Sequence, residues 1–156
     1  MIIKQISIFV ENKPGRLAEI TDIIAKNNIN IRALSVADTT HFGILRIIVD
    51  NPAEVERVLK EAGLTVSITS VITACIKDRP GGLADLLKLL SAHDIQIEYM
   101  YAFIAKNENE AYVAMRIEAE EAAAKLPAML KADDLVLVKG SRGVRMERII
   151  ERLTAL

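Results

Sequence analysis

The chain has 156 residues, 51% of them apolar but only 4% aromatic and none tryptophan, which describes a globular core of Ile, Leu, Val and Ala. Its formal net charge of −1, with acids and bases interspersed, supplies no field to concentrate a polyanion, so nucleic acid is not expected as a partner. A single cysteine, Cys75, excludes an intrachain disulfide framework and a thiol-based zinc or iron–sulfur centre.

A reducing cytoplasm is the expected compartment. The opening Met1-Ile2-Ile3-Lys4 has no basic leader, and no segment reaches the roughly 20 apolar residues that a membrane span needs, so no membrane partner is expected.

Residues 4–10 alternate, with Ile6, Ile8 and Val10 on one side, which predicts a half-buried strand. Pro14-Gly15 interrupts it, and Leu17, Ile20, Ile23 and Ile24 follow as one helical stripe that Asn27-Asn28 ends. Residues 29–38 and 42–50 read as strands joined through Thr39-Thr40-His41. Pro52 opens a second helix with Val55, Val58 and Leu59 on one face, Gly63 closes it, and a strand is expected at 64–69.

The same order then returns: a strand at 71–77, a helix at 81–92 with Leu83, Leu86, Leu87 and Leu90 inward, strands at 95–105 and 110–118, a helix near 120–131 and a strand at 134–139. Asn12-Lys13-Pro14-Gly15-Arg16-Leu17-Ala18 reappears sixty-six residues later as Asp78-Arg79-Pro80-Gly81-Gly82-Leu83-Ala84. The predicted fold is therefore α+β, two ferredoxin-like β-α-β-β-α-β units, each a four-stranded antiparallel sheet with two helices on one face. The expected boundaries are 1–70 and 71–140, followed by a loop and amphipathic helix at 141–156 with Met146, Ile149, Ile150 and Leu153 on one side. Only Thr69-Ser70 divides the units, too short for a flexible linker, so nearly rigid halves are expected. Units of this size bury only about 60% of their unfolded surface, which favours a shared interface or a homodimer.

The repeated corner is the candidate functional site. A strand that turns through Pro-Gly into a helix aims unbonded backbone N–H groups, and the positive end of the helix dipole, at whatever lies above. Those donors suit a carboxylate, while Asn12 or Asp78 just before the turn can accept from an ammonium group. Together they describe the head group of an α-amino acid. The plainer reading is that Asn12 or Asp78 caps its helix and Pro-Gly only makes a tight turn.

With their apolar flanks, Asn12-x-Pro14-Gly15-x-Leu17 and Asp78-x-Pro80-Gly81-x-Leu83, followed by Asn30-Ile31 and Gln96-Ile97, resemble the ACT domain over residues 3–139. That family consists of small regulatory modules that bind amino acids and control enzymes of amino-acid metabolism. The resemblance implies a ligand where two units meet. Asn12, Pro14, Gly15, Arg16 and Leu17 would line one site and Asp78, Gly81, Gly82 and Leu83 the other, with Asn30 or Gln96 closing the far side. A branch of the family that binds serine carries His two residues before the loop Asn; here those positions are Val10 and Ile76, so a different ligand is implied. The expected protein is non-enzymatic, without metal or cofactor, with a free amino acid, a second copy of itself and an enzyme of amino-acid metabolism as partners. The alternatives are a structural or regulatory subunit with no ligand, and a small acyl-phosphate hydrolase using Arg16.

His41 and His93 have no second ligand at metal-binding spacing and read as surface residues, and Cys75 reads as a buried, inert thiol. Tyr99, Tyr101 and Phe103 share one side of a strand, serving either the core or the wall of a pocket. Lys139 to Arg145 lacks the spacing of a phosphate-binding loop.

Overall fold

The computed structural model of the chain describes residues 2–38, 42–104 and 109–117. These form two compact units, one from Lys4 to Thr69 and the other taking up the chain from Ser70 together with its first residues. The fold is α+β, with antiparallel strands and three helices among the described residues.

In the first unit, β1 (Ile2–Glu11) is followed by α1 (Arg16–Lys26), β2 (Ile31–Asp38), β3 (Phe42–Val49), α2 (Pro52–Glu61) and β4 (Thr65–Lys77). The strands lie in the order β2-β3-β1-β4, with β3 antiparallel to both β1 and β2. Register places Ile6 opposite Ile47 and Ile8 opposite Leu45, so alternation turns these four toward the helices. There they pack with Ile20 and Ile24 of α1 and with Val55, Val58 and Leu59 of α2, all buried. Each such side chain contributes about 1.5–3 kcal/mol by leaving water. α2 begins as its residues require, with Pro52 in the first turn and Asn51 Oδ1 accepting from Glu54 N at 3.3 Å.

All three helices stop by one device. Ile29, Leu64 and Ile95 donate their N–H groups back to Ile24, Leu59 and Leu90 at 3.3, 3.0 and 3.0 Å. The residue before each is left-handed: Asn28 (φ 55°), Gly63 (φ 79°) and Asp94 (φ 52°). The donor side chain is then buried against the core, which makes each stop both a hydrogen-bonded and an apolar lock.

The second unit uses the later part of β4, then α3 (Gly82–Ala92), β5 (Tyr99–Ile104) and β6 (Glu110–Arg116), in the strand order β4-β6-β5. Ile72, Ala74 and Ile76 meet Leu86, Leu87 and Leu90 of α3 together with Val113 and Met115. The helix at 120–131, the strand at 134–139, the helix at 141–156 and the hairpin tips at 39–41 and 106–108 lie outside the described residues.

Four expectations are corrected, the last of them at Cys75. Thr69-Ser70 is no break, because β4 runs unbroken for 13 residues from Thr65 to Lys77. Without Gly or Pro a polar pair has no reason to turn, and both residues are held: Thr69 Oγ1 accepts from Gln5 Nε2 at 3.3 Å, and Ser70 O from Arg116 Nη1 at 3.0 Å. Residues 95–97 are not strand, since Ile95 completes the stop of α3 and β5 starts only at Tyr99. Leu17 and Leu83 do not turn inward; they are 44% and 40% exposed, in the first turn of their helices next to the corner.

On β5, Met100 packs in the core, so Tyr99, Tyr101 and Phe103 face away from α3. Phe103 stacks there on Tyr112 with ring centroids 5.6 Å apart. Tyr112 stands opposite Cys75 in the β4–β6 register. Cys75 is thus exposed, not buried, because its neighbours Ala74 and Ile76 take the side facing α3. Loss of solvent around Sγ and the nearby negative charge of Glu110 both push the thiol above its ordinary value.

A Cβ at Gly82 would collide with the Lys77 carbonyl oxygen, whereas one at Gly15 would meet nothing within 4 Å. Gly15→Ala is therefore expected to cost about 1–2 kcal/mol from its left-handed φ alone. Gly82→Ala is expected to cost about 3 kcal/mol through overpacking, despite the better helix propensity of Ala. Urea denaturation of the two variants checks the order. The raised Cys75 thiol should react with a disulfide reagent more slowly in the native chain than in urea at pH 8, because less of it is thiolate. That gap should close as pH rises through the native titration.

Candidate functional site

The two corners between first strand and first helix match bond for bond. Lys13 N donates to Glu11 O at 2.9 Å and Arg79 N to Lys77 O at 3.0 Å. Arg16 N reaches Lys13 O at 3.3 Å and Gly82 N reaches Arg79 O at 3.0 Å; Glu19 N reaches Gly15 O at 3.0 Å and Asp85 N reaches Gly81 O at 2.9 Å. Gly15 and Gly81 hold the same left-handed conformation, φ 84° with ψ −13° and φ 88° with ψ −12°. Glycine is needed because this φ brings a Cβ too close to the following carbonyl.

That pattern leaves the same donors over at each corner. Among the described residues, the N–H groups of Gly15, Leu17 and Ala18, and of Gly81, Leu83 and Ala84, have no acceptor. The residue at the cap position is glycine in both cases and offers no side chain, so neither Asn12 nor Asp78 caps its helix. Among the described residues the side chains of Asn12 and Asp78 also make no hydrogen bond, and both residues are exposed. Donors at a helix start beside acceptors that precede the capping glycine by three residues can take a carboxylate and an ammonium group together.

The structure divides the candidate residues into two groups. Asn12, Pro14, Gly15, Arg16 and Leu17 gather at the start of α1, and Asp78, Gly81, Gly82 and Leu83 at the start of α3. Asn30 and Gln96 lie beyond the other ends of those helices. Each helix has 11 residues, about 16 Å at 1.5 Å per residue, so within one unit they stand too far off to share a small ligand with the corner. Asn30 is pinned by its main chain, whose N–H donates to Asp50 Oδ1 at 3.2 Å and whose carbonyl accepts from Asp50 N at 3.3 Å. Gln96 lines a shallow cavity of about 410 Å³ with Leu87, Leu90, Ser91, Asp94, Ile95 and Ile97.

The corners differ in what surrounds them. Gly82 is buried, and the space where its side chain would stand is taken by Lys77, so it serves packing and not ligand approach. Lys13 Nζ turns outward to Glu11 Oε2 at 2.7 Å, a hydrogen bond and charge that hold the Glu11 carboxyl below its usual range. Arg79, which sequence reasoning passed over, reaches across the second corner: Nη1 donates to Pro80 O at 3.1 Å and Nη2 pairs with Asp85 Oδ2 at 2.7 Å. Its place in the repeat, where the first corner has Lys13, was the available signal. Among the described residues no group of three or more His, Cys, Asp or Glu could hold a metal ion, and no helix is long and apolar enough to cross a membrane.

Comparison with known proteins bears on the family. The crystal structure of protein BT0572 from Bacteroides thetaiotaomicron is similar at 38% identity and a TM-score of 0.71, covering 99% of this chain and 88% of that one. The ligand-free regulatory subunit of aspartate kinase from Thermus thermophilus shares the fold at 18% identity and a TM-score of 0.59, covering 86% of this chain and 96% of that one. The corresponding subunit from Thermus flavus shares it at 18% identity and a TM-score of 0.58, covering 83% and 93%. No curated protein matches. The family model of the ACT domain pair matches residues 1–139, and with both corners built alike the chain belongs to the ACT family as a pair of ACT domains.

Proposed function

We propose that this chain is an amino-acid-sensing regulatory protein without catalytic activity of its own. A free amino acid binds at each repeated corner, its carboxylate on the N–H groups of the first helical turn and its ammonium on Asn12 or Asp78. The observation that carries this reading is the set of donors left, among the described residues, without an acceptor at both corners, beside Asn12 and Asp78 side chains that do not cap the helices. The regulatory subunits of aspartate kinase among the similar structures support it at the level of fold.

On this reading the two regulatory units follow the repeat, with proposed boundaries near residues 70 and 140 and residues 141–156 beyond them. A corner of one unit faces the Asn30 or Gln96 end of another, since one helix is too long for both groups to serve a ligand from within a single unit. Pairing of exposed strand edges in a homodimer supplies such neighbours, and ligand binding alters that packing to signal to an enzyme of amino-acid metabolism in the cytoplasm. The absence of His at Val10 and Ile76, with Leu17 and Leu83 exposed beside the donors, favours a side chain other than that of serine.

A thermal-shift screen of the twenty amino acids tests this. A ligand at 100 times its dissociation constant adds about 2.7 kcal/mol, several degrees in melting temperature. Asn12→Ala should reduce that shift while leaving the unliganded melting temperature nearly unchanged. A chain that responds to none of the twenty would refute the reading, and turnover of a generic acyl phosphate would replace it with the hydrolase.

A further inference from the structure

Among the described residues each corner carries one guanidinium, yet the two arginines come from different places in the repeat. In the first, Arg16 follows the glycine and its Nη1 pairs with Glu19 Oε2 at 2.7 Å. In the second, Arg79 precedes the proline and pairs with Asp85 Oδ2 at 2.7 Å. Glu19 and Asp85 are sixty-six residues apart and therefore equivalent in the repeat, whereas Arg16 is equivalent to Gly82 and Arg79 to Lys13. The exchange has a steric cause. No side chain fits at Gly82, where the Lys77 carbonyl oxygen stands, so the second corner draws its cation from the other side of the proline. In the first corner Lys13 is turned away to Glu11, and Arg16 fills the role.

We propose that Arg79 is the counterpart of Arg16, and that each is a ligand-binding residue acting as an exchangeable clasp: closed on Glu19 or Asp85, it opens to take the carboxylate of an α-amino acid. This rests on the amino-acid-binding reading above and adds to it a named residue and a charge requirement. The exchange is cheap, because a pair as exposed as Arg79–Asp85, at 54% and 55%, is worth only about 0–1 kcal/mol. The planar fork of arginine matches a carboxylate with two hydrogen bonds. A zwitterion inserted between the partners restores both charges, its carboxylate taking the guanidinium as well as the main-chain donors and its ammonium the freed acid as well as Asn12 or Asp78. A carboxylic acid without the amine leaves Glu19 or Asp85 unpaired. Arg16 gives a second sign: its Nε is shut off from water and has no acceptor among the described residues. A buried donor left in that state costs about 1–3 kcal/mol, so a movement that finds it an acceptor is favoured.

The test is calorimetric titration of the full chain with each of the twenty amino acids, then with the α-amide and the deaminated acid of any that bind. Arg79→Ala should remove one of two binding events, Arg16→Ala the other, and the double variant both, while Arg79→Lys keeps a weakened event. Asp85→Asn should narrow the preference for amino acid over deaminated acid by at least tenfold at the second corner. Melting curves of each variant show that it is folded. Binding by the wild type that survives Arg79→Ala in full, or deaminated acids that bind as tightly as amino acids, would overturn the clasp and leave the broader reading standing. No response of the wild type to any amino acid would overturn both.

Discussion

The left-handed glycine at each corner is the constraint from which the rest follows. With φ near +85° at Gly15 and Gly81, the strand ladder ends and a helix begins within a few residues, held by three main-chain bonds of the same kind in both copies. Those bonds engage the amides of the second residue after the strand, of the first helical residue and of the fourth. The second and third helical amides, and that of the glycine itself, are left pointing out of the corner. Because a glycine stands where a capping side chain would, no side chain among the described residues reaches back to take them. An ordinary Ser, Thr, Asn or Asp at that position would have closed the helix start on itself and left an inert turn.

Around this shared geometry the two copies have diverged. The first corner has Arg16 on its helix and Lys13 turned outward; the second has glycine at the helix start and Arg79 bent across. The same local charge is reached by two routes, one open and one forced by the approach of Lys77 to Gly82. The sheet faces away from the helices have diverged as well. Phe9 stacks on Phe42 at 5.0 Å in the first unit, and in the second the position equivalent to Phe9 is Cys75, beside the Phe103–Tyr112 stack. An aromatic pair is kept on each face while the residues that build it change.

Much of this was legible in the residues themselves. Alternation in β1 and the 3.6-residue stripes of α1 and α2 reflect a simple requirement, that one face of each element leave water, and so Ile6, Ile8, Ile20, Ile24, Val55 and Leu59 could be assigned to a core from spacing alone. The Pro-Gly corner was visible for a similar reason, since proline and glycine act through their own backbone restrictions and need no distant partner. The internal repeat located the candidate site because a turn sequence that means little once, found twice in register, points to one conformation used twice.

What spacing could not supply was anything decided by neighbours remote in sequence. Thr69-Ser70 continues as strand because Gln5 and Arg116 bond to it, and the Ile95 segment leaves the ladder because Ile95 is drawn into the stop of α3. Leu83 fits the helical stripe yet lies in water, Cys75 is exposed because its neighbours take the helix side, and Gly82 is glycine on account of a carbonyl five residues earlier. The partition of Asn30 and Gln96 from the corner residues is likewise a matter of helix length in space. Local periodicity and backbone stereochemistry, both short-range, determined the elements and the corner. Which groups bond, which stay open and which arginine serves which acid were set by packing, because those outcomes depend on distances that only the folded chain brings within reach.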